Sequence, residues 1–169
     1  QVIALDVALP MLDQAKRQAG WWKPFQRLCG DAAALPLADN SVDVIFSNLC
    51  LQWVDDLPAV FAGFRRVLKP GGLLVCSTFG PETLIELNEA FAAADDRPHV
   101  SRFAQIAQFG DALMMAGFRD PVLDRDLFTL TYDDLPSLMR ELRAMGATNA
   151  RVDRRHTLTG RCLLYTSDA

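Results

Sequence analysis

Apolar residues in this chain alternate between short unbroken runs and stretches where they recur every three or four positions. The clearest run is Val42 to Phe46, rich in β-branched residues and carrying a single charge. That is the pattern of a strand buried on both faces of a parallel sheet. It gives way at once to Ser47-Asn48, small polar residues at the carboxyl end of the strand, where open α/β sheets place their ligands. Asp55-Asp56-Leu57-Pro58 then predicts a helix start, with an acidic N-cap and a proline in the first turn, where its missing N–H costs nothing. Val60, Phe61, Phe64, Val67 and Leu68 recur at helical spacing until Lys69-Pro70-Gly71-Gly72 ends the helix. A second buried run, Leu73 to Phe79, completes a right-handed βαβ unit.

The same reading extends along the chain. Val2 to Leu5 is an apolar strand ending in Asp6, and Leu9-Pro10 opens a helix with Met11, Leu12, Ala15 and Ala19 on one face. Phe25 to Cys29 is a short strand closed by Gly30-Asp31, and Ala32 to Leu37 is a loop. Gly20-Trp21-Trp22-Lys23-Pro24 is a loop with no assigned role. In the second half, Gly80-Pro81-Glu82-Thr83 starts a helix carrying Leu84, Leu87 and Phe91. Residues 108–117 form another, with Gly117 as its C-cap, and 122–131 form a strand of alternating charged and apolar residues. Tyr132-Asp133-Asp134-Leu135-Pro136 starts an amphipathic helix bearing Leu138, Met139, Leu142 and Met145, closed by Gly146 to Asn149. Ala94 to Phe103 is polar, contains Pro98 and breaks the periodicity, which makes it the expected substrate-facing loop.

Composition narrows the function. With 169 residues, half of them apolar, the chain has one domain's length and enough material for a core. A net charge of -4 argues against general nucleic-acid binding. No apolar run approaches the roughly 20 residues that span a bilayer, so no membrane partner is expected and the cytoplasm is the expected location. Cys29, Cys50, Cys76 and Cys162 are scattered, with only His99 and His156 to help them, so no metal is expected and the thiols read as reduced core residues. The chain opens at Gln1 inside a strand, which reads as a fragment. Residues 162–169 continue no periodicity and read as a non-native tail, leaving 1–161 as a partial domain.

Two carboxylates stand at strand ends. Asp6 there can accept both hydroxyl protons of a ribose, or simply cap the next helix. Asp31 can accept from an exocyclic amine, or cap its loop. Taken together, Asp6, Gly30-Asp31 about 25 residues on, Leu35-Pro36-Leu37, the Asp43 to Asn48 run and Leu68 to Gly72 resemble the class I S-adenosylmethionine-dependent methyltransferases over residues 1 to about 80. The resemblance implies a Rossmann-like fold, a parallel sheet with an antiparallel edge, and S-adenosylmethionine as cofactor. It also implies that Asp6 binds ribose, Met11 packs on adenine, Asp31 and Ala32 read the adenine edge, and Asn48 and Leu49 border the methionine moiety. The glycine-rich loop of such enzymes, with the central first strand leading into it, would precede Gln1. Without that strand two edges keep unpaired backbone groups, each costing about 1–3 kcal/mol if left dry. The chain as it stands is therefore expected to be poorly stable, to bind cofactor weakly and to be inactive.

A narrower resemblance runs over nearly the whole chain. Ser47-Asn48-Leu49 with Gln52-Trp53, Ser77 to Pro81 with Thr83-Leu84, Arg97-Pro98-His99 with Arg102-Phe103, and Met145 to Asn149 with Leu158-Thr159-Gly160 are similar to the malonyl-[acyl-carrier protein] O-methyltransferases of biotin synthesis. This implies methyl transfer to the free carboxylate of a malonyl thioester on acyl carrier protein. A carboxylate with a pKa near 4 needs no general base, so no catalytic residue is expected beyond positioning and desolvation. Arg102, with Arg97 and His99 beside it, is the candidate to hold the substrate carboxylate, and Trp53 to wall the acyl pocket; a solvated loop and a packed Trp are the plainer alternatives. Basic clusters at Arg65, Arg66 and Lys69, and at Arg151, Arg154 and Arg155, are candidate docking surfaces for an acidic carrier, the second preferred. Several motifs are also similar to a mitochondrial complex I assembly factor, so a methyltransferase-fold assembly factor or arginine hydroxylase acting on a respiratory-complex protein is the alternative.

Overall fold

The structure is a computed structural model and describes residues 1–19, 25–94 and 103–144. It comprises two compact units, one of residues 1–78 with 106–122 and one of 79–105 with 123–169.

The first unit is built from two βαβ pieces. Strand β1 (Ile3–Asp6) leads through α1 (Leu9–Ala19) to β2 (Gln26–Cys29), which lies parallel to it, with Ile3 opposite Gln26 and Asp6 opposite Cys29. Strand β3 (Val42–Asn48) leads through α2 (Leu57–Val67) to β4 (Leu68–Ser77), again parallel, with Val44 opposite Leu73 and Asn48 opposite Ser77. The Asp56 carboxylate caps α2 by accepting from the Ala59 N–H at 3.0 Å, with Pro58 in the first turn. Val60, Phe61, Phe64 and Val67 then fall on one face and are buried. The Phe61 ring meets Phe64, Phe109 and Phe118 edge-on at centroid distances of 6.2, 5.7 and 6.5 Å. Burying one such side chain contributes about 1.5–3 kcal/mol, so this cluster is the main core of the unit.

Phe109, Ala112 and Leu113 come from α4 (Ile106–Met115). Gly117, at φ +85°, ends it as expected: its N–H bonds to the Met114 carbonyl and the Phe118 N–H to that of Leu113. At the end of α2 the chain passes directly into β4. The ladder skips from the Val42–Leu68 pair to Val44–Leu73, and the intervening Lys69 to Gly72 form a bulge in which Gly71 takes φ +78°. A Cβ at Gly72 would lie 3.0 Å from the carbonyl oxygens of Asp43 and Lys69. The strand thus starts at Leu68 and ends at Ser77, rather than running from Leu73 to Phe79.

The unpaired edges expected without a central strand are present: β1 and β3 are not bonded to each other, and the described strands form two two-stranded sheets. Two other expectations change. The β3 run was read as buried on both faces, yet Val44 is 56% and Phe46 74% exposed, together with their ladder partners Leu73 and Val75. Helix α2 covers one face of the β3–β4 pair and no described element covers the other. Finally, Cys29 and Cys50 are exposed as residues and Cys76 is half-buried, so none of the three is a core residue.

In the second unit, α3 (Ile85–Ala94) follows a turn closed by the Thr83 N–H on the Gly80 carbonyl. The Phe79 and Phe103 rings pack at 5.5 Å, and Arg125 pairs with Glu82 at 2.6 Å. Helix α5 (Leu135–Ala144) is capped by Asp134, whose carboxylate accepts from the Ser137 N–H at 2.7 Å. Those hydrogen bonds hold the Asp134 carboxyl below its ordinary value. The strand expected over 122–131, the antiparallel edge, does not form: the segment is irregular, with Val122 94% and Phe128 81% exposed. A strand exists only through a partner edge, and alternation in the sequence cannot supply one. Met145, the Gly146 to Asn149 close and everything beyond lie outside the described residues, as does the Gly20 to Pro24 loop.

Candidate functional site

The carboxyl ends of β1, β2 and β3 gather the polar groups. Asp6 closes β1, and its Oδ1 accepts from the Ala8 N–H at 2.7 Å, holding the turn into α1. Its Oδ2 has no hydrogen-bond partner among the described residues. The capping and ligand readings of this residue are therefore compatible, one oxygen serving each. Met11 sits in the first turn of α1 and is exposed, while Leu12 beside it is buried, so Met11 is not on the packed face of the helix.

Past β2, the Gly30 N–H bonds to the Asp6 carbonyl at 3.0 Å, tying the two strand ends together. Asp31 caps a single 3₁₀ turn, Ala32–Ala34, its Oδ1 accepting from the Ala33 N–H at 2.9 Å. The first N–H of such a turn, that of Ala32, has no partner within it and is free to donate outward. The loop that follows is gripped from two sides. A Cβ at Gly30 would lie 3.2 Å from the Pro36 ring. Opposite, Arg66 in the last turn of α2 donates to the Leu35 and Leu37 carbonyls, both at 2.8 Å, and to the Asp39 carboxylate at 2.7 Å.

At the end of β3, the Asn48 side-chain oxygen accepts from the Ser77 hydroxyl at 2.6 Å, leaving its amide hydrogens as donors. Leu49 takes φ +49°, a left-handed conformation that costs a leucine about 1–2 kcal/mol. It is held there by its N–H on the Ser77 carbonyl at 3.0 Å and by the Gln52 amide, which donates to its carbonyl at 2.7 Å. The Gln52 Oε1 is buried without a partner among the described residues. Leu51 to Trp53 form a 3₁₀ turn in which Leu51 is buried and Trp53 is 44% exposed, so Trp53 is not packed beneath α2. Strain of this kind persists where the surrounding bonds over-determine it, and it clusters at ligand sites.

Cys50 shows that these pieces face one another. Partial burial pushes its thiol up, the negative charges of Asp6 and Asp31 push it further, and a hydrogen bond from Ser47 opposes them. Both carboxylates therefore act on one point beside Leu49, although they belong to the β1–β2 pair and Cys50 to the β3–β4 pair. Cys50 was missed because a cysteine at the end of an apolar run reads as core. Arg66 was read as part of a basic docking cluster, not as a loop contact. His99, Arg102 and Arg97 lie outside the described residues, as do Arg151, Arg154 and Arg155. Of the first basic cluster, Arg66 is spent on the loop and Lys69 pairs with Asp43 at 2.7 Å. Two of its three charges thus have intramolecular partners. Among the described residues no group of three or more His, Cys, Asp or Glu side chains is placed to hold a metal ion.

A family described as a methyltransferase domain matches residues 1–76, the stretch that carries these strand ends. The chain is similar to that family over this stretch. It is 67% identical over 161 residues to a malonyl-[acyl-carrier protein] O-methyltransferase of Xylella fastidiosa, covering 95% of this chain and 55% of that protein. A protein of the same name from Gallionella capsiferriformans is 46% identical over 167 residues, covering 95% of this chain and 58% of its own length. The chain thus spans a little over half the length of these curated relatives. A solved S-adenosylmethionine-dependent methyltransferase from Mesorhizobium loti superposes with a TM-score of 0.55 at 22% identity, over 90% of this chain and 75% of that one. The fold of the methyltransferase domain is the Rossmann-like α/β fold of class I enzymes, here with its described strands in parallel pairs.

Proposed function

We propose that the protein carrying this chain transfers a methyl group from S-adenosylmethionine to the free carboxylate of malonyl-acyl carrier protein, an early step towards the pimelate part of biotin. The observation that carries the reading is the 67% identity, across 95% of the chain, to a relative of that name. The groups at the strand ends suit the cofactor's nucleoside: a carboxylate with one oxygen open at Asp6, and an acceptor beside an outward N–H at Asp31 and Ala32. In this reading Asp6 accepts the ribose hydroxyls, Met11 lies on the adenine, Asp31 and Ala32 read its edge, and Asn48 and Leu49 border the methionine end.

When bound, the cofactor supplies a methyl group activated by a sulfonium. The chain's own residues bind and orient. A substrate carboxylate is already ionised at neutral pH, so no side chain has to remove a proton. The oxygen–carbon bond forms as the carbon–sulfur bond breaks, giving a methyl ester and S-adenosylhomocysteine. Alignment and exclusion of water are what remain for the protein to provide. Trp53 walls the acyl chain, while His99 and Arg102 hold the carboxylate end. Arg151, Arg154 and Arg155, which follow the substrate segment in the sequence, are the preferred docking residues for an acidic carrier. The cytoplasm is the location that goes with a carrier-protein substrate. Residues 1–161 form the domain's part of the chain and 162–169 a tail foreign to it. Neither relative's name favours an assembly factor or hydroxylase.

Incubating the full-length protein with radiolabelled S-adenosylmethionine and malonyl-acyl carrier protein should yield base-labile methyl ester on the malonyl carboxylate. Cofactor binding without such label would overturn the substrate assignment.

A further inference from the structure

We propose that Arg66 is a positioning residue for recognition of the cofactor's base, acting through the loop after Asp31 and not through contact with the carrier protein. The inference rests on the reading of Asp31 and Ala32 as the adenine-edge residues. Its geometric basis is the three-way grip of the guanidinium on the Leu35 and Leu37 carbonyls and the Asp39 carboxylate, at 2.8, 2.8 and 2.7 Å. A planar fork with several fixed donors can satisfy three acceptors at once, which an ammonium on a flexible stem cannot do in the same geometry.

The grip matters because the side chains of this loop are not held by burial, although the Ser41 hydroxyl also donates to the Ala38 carbonyl at 2.6 Å. Asp31, Ala33, Ala34 and Pro36 are exposed, and none of the side chains from Asp31 to Leu37 is buried. Its conformation is set at one end by the Asp31 cap on the Ala33 N–H and by the Pro36 ring against Gly30. At the other end it is set by Arg66, whose own backbone carbonyl accepts from the Asn40 N–H at 2.9 Å. Arg66 therefore fastens both the start and the finish of the segment Leu35 to Asn40 to the last turn of α2, a helix whose opposite face is anchored in the Phe61 core. Releasing the fork frees the loop while leaving that core in place. An error of about 1 Å in the placement of recognition groups is enough to cost large factors in binding and rate.

The test compares Arg66→Ala and Arg66→Lys with Asp31→Asn in the full-length protein, titrating S-adenosylhomocysteine and its hypoxanthine analogue by calorimetry and measuring KM for malonyl-acyl carrier protein. The proposal expects Arg66→Ala to weaken S-adenosylhomocysteine binding about tenfold. It also expects a smaller adenine-over-hypoxanthine preference, an unchanged KM for the carrier substrate, and faster amide exchange at Ala33 and Ala34 but not in β4. Arg66→Lys keeps charge and helix but not the fork, so it must shift in the same direction. Wild-type affinity and preference in either folded Arg66 variant overturns the proposal, as does a raised carrier KM with cofactor affinity intact. Should Asp31→Asn weaken binding while the Arg66 variants do not, only the Arg66 inference falls. Should Asp31→Asn also bind normally, the assignment of the adenine edge falls with it.

Discussion

The two βαβ pieces of the first unit differ in what they bury and in what they display. β3–α2–β4 anchors four buried side chains of one helix, with Leu68 at the start of β4, in an aromatic cluster completed by α4. β1–α1–β2 has a single buried residue in its helix, Leu12, and an ion pair between Arg27 and Asp13 at the surface. Yet it is the thin piece that ends in Asp6 and Asp31, the two carboxylates that bear on Cys50. Burial and chemistry are thus unevenly divided: one piece, the frame, holds most of the core, and its Arg66 grips the loop that follows Asp31 of the other. Regions with few buried contacts are the ones that open first, and binding elements are drawn from them.

The largest effect should come from cutting the frame. Phe61→Ala is expected to cost about 3–5 kcal/mol, as large aromatic deletions do. Leu12→Ala, in the thin piece, should lie near 2 kcal/mol, the lower end for such truncations. Equal losses in denaturant titrations would erase the contrast between the two pieces. Gly72→Ala comes next, because its new Cβ meets backbone oxygens at 3.0 Å that cannot swing away. A loss of about 1–3 kcal/mol is expected, whereas Gly71, with nothing within 4 Å of its Cβ position, should suffer only from its positive φ.

The chemistry of the thin piece is tested with almost no cost in stability. Asp6→Asn should weaken S-adenosylhomocysteine binding by about tenfold, the scale of a hydrogen bond to a charged group, while moving the thermal midpoint little. A large drop in the midpoint instead would make Asp6 a capping residue first. The same variant should sharpen the electrostatic link between the pieces. Removing the Asp6 charge relieves part of what holds the Cys50 thiol up, so its pKa falls and alkylation at a fixed pH near 8 becomes faster. An unchanged rate would mean that the two strand ends do not share one edge.

The smallest effect belongs to the frame's surface. The Lys69 ammonium, hydrogen-bonded to Asp43, holds that carboxyl below its ordinary value. A depressed folded-state pKa adds stability above the unfolded value, and that contribution is lost as the pH falls through the folded one. Lys69→Met should therefore raise the Asp43 pKa in an NMR titration and flatten acid sensitivity below about pH 4. Stability at neutral pH should stay nearly unchanged, because the pair is exposed.

How much of this was legible in the sequence follows from the range of the interactions. Local signals were read well: the Asp56 cap with Pro58, the Gly117 stop and the helix start at Tyr132 to Pro136 all form where their residue types place them, since each depends on bonds within a few positions. The amphipathic face of α2 was legible for the same reason, as were the strand ends at Asp6, Asp31 and Asn48. Pairing was not. The alternation over 122–131 describes a strand only if an edge is offered to it, and the bulge at Lys69 to Gly72 depends on how β4 meets β3. Nor did the run at Val44 and Phe46 reveal which of its faces would be covered.

By itself, then, the order of residues determined the local elements of this chain, their caps and the acidic strand ends. Tertiary structure decided which groups of distant sequence meet: Arg66 on the Leu35 to Asp39 loop, Ser77 on Asn48, and the charges of Asp6 and Asp31 on Cys50. Helix periodicity and capping act over one or two turns and are written in neighbouring residues. Hydrogen bonds and charge interactions between elements depend on register and packing, which exist only once the strands have paired.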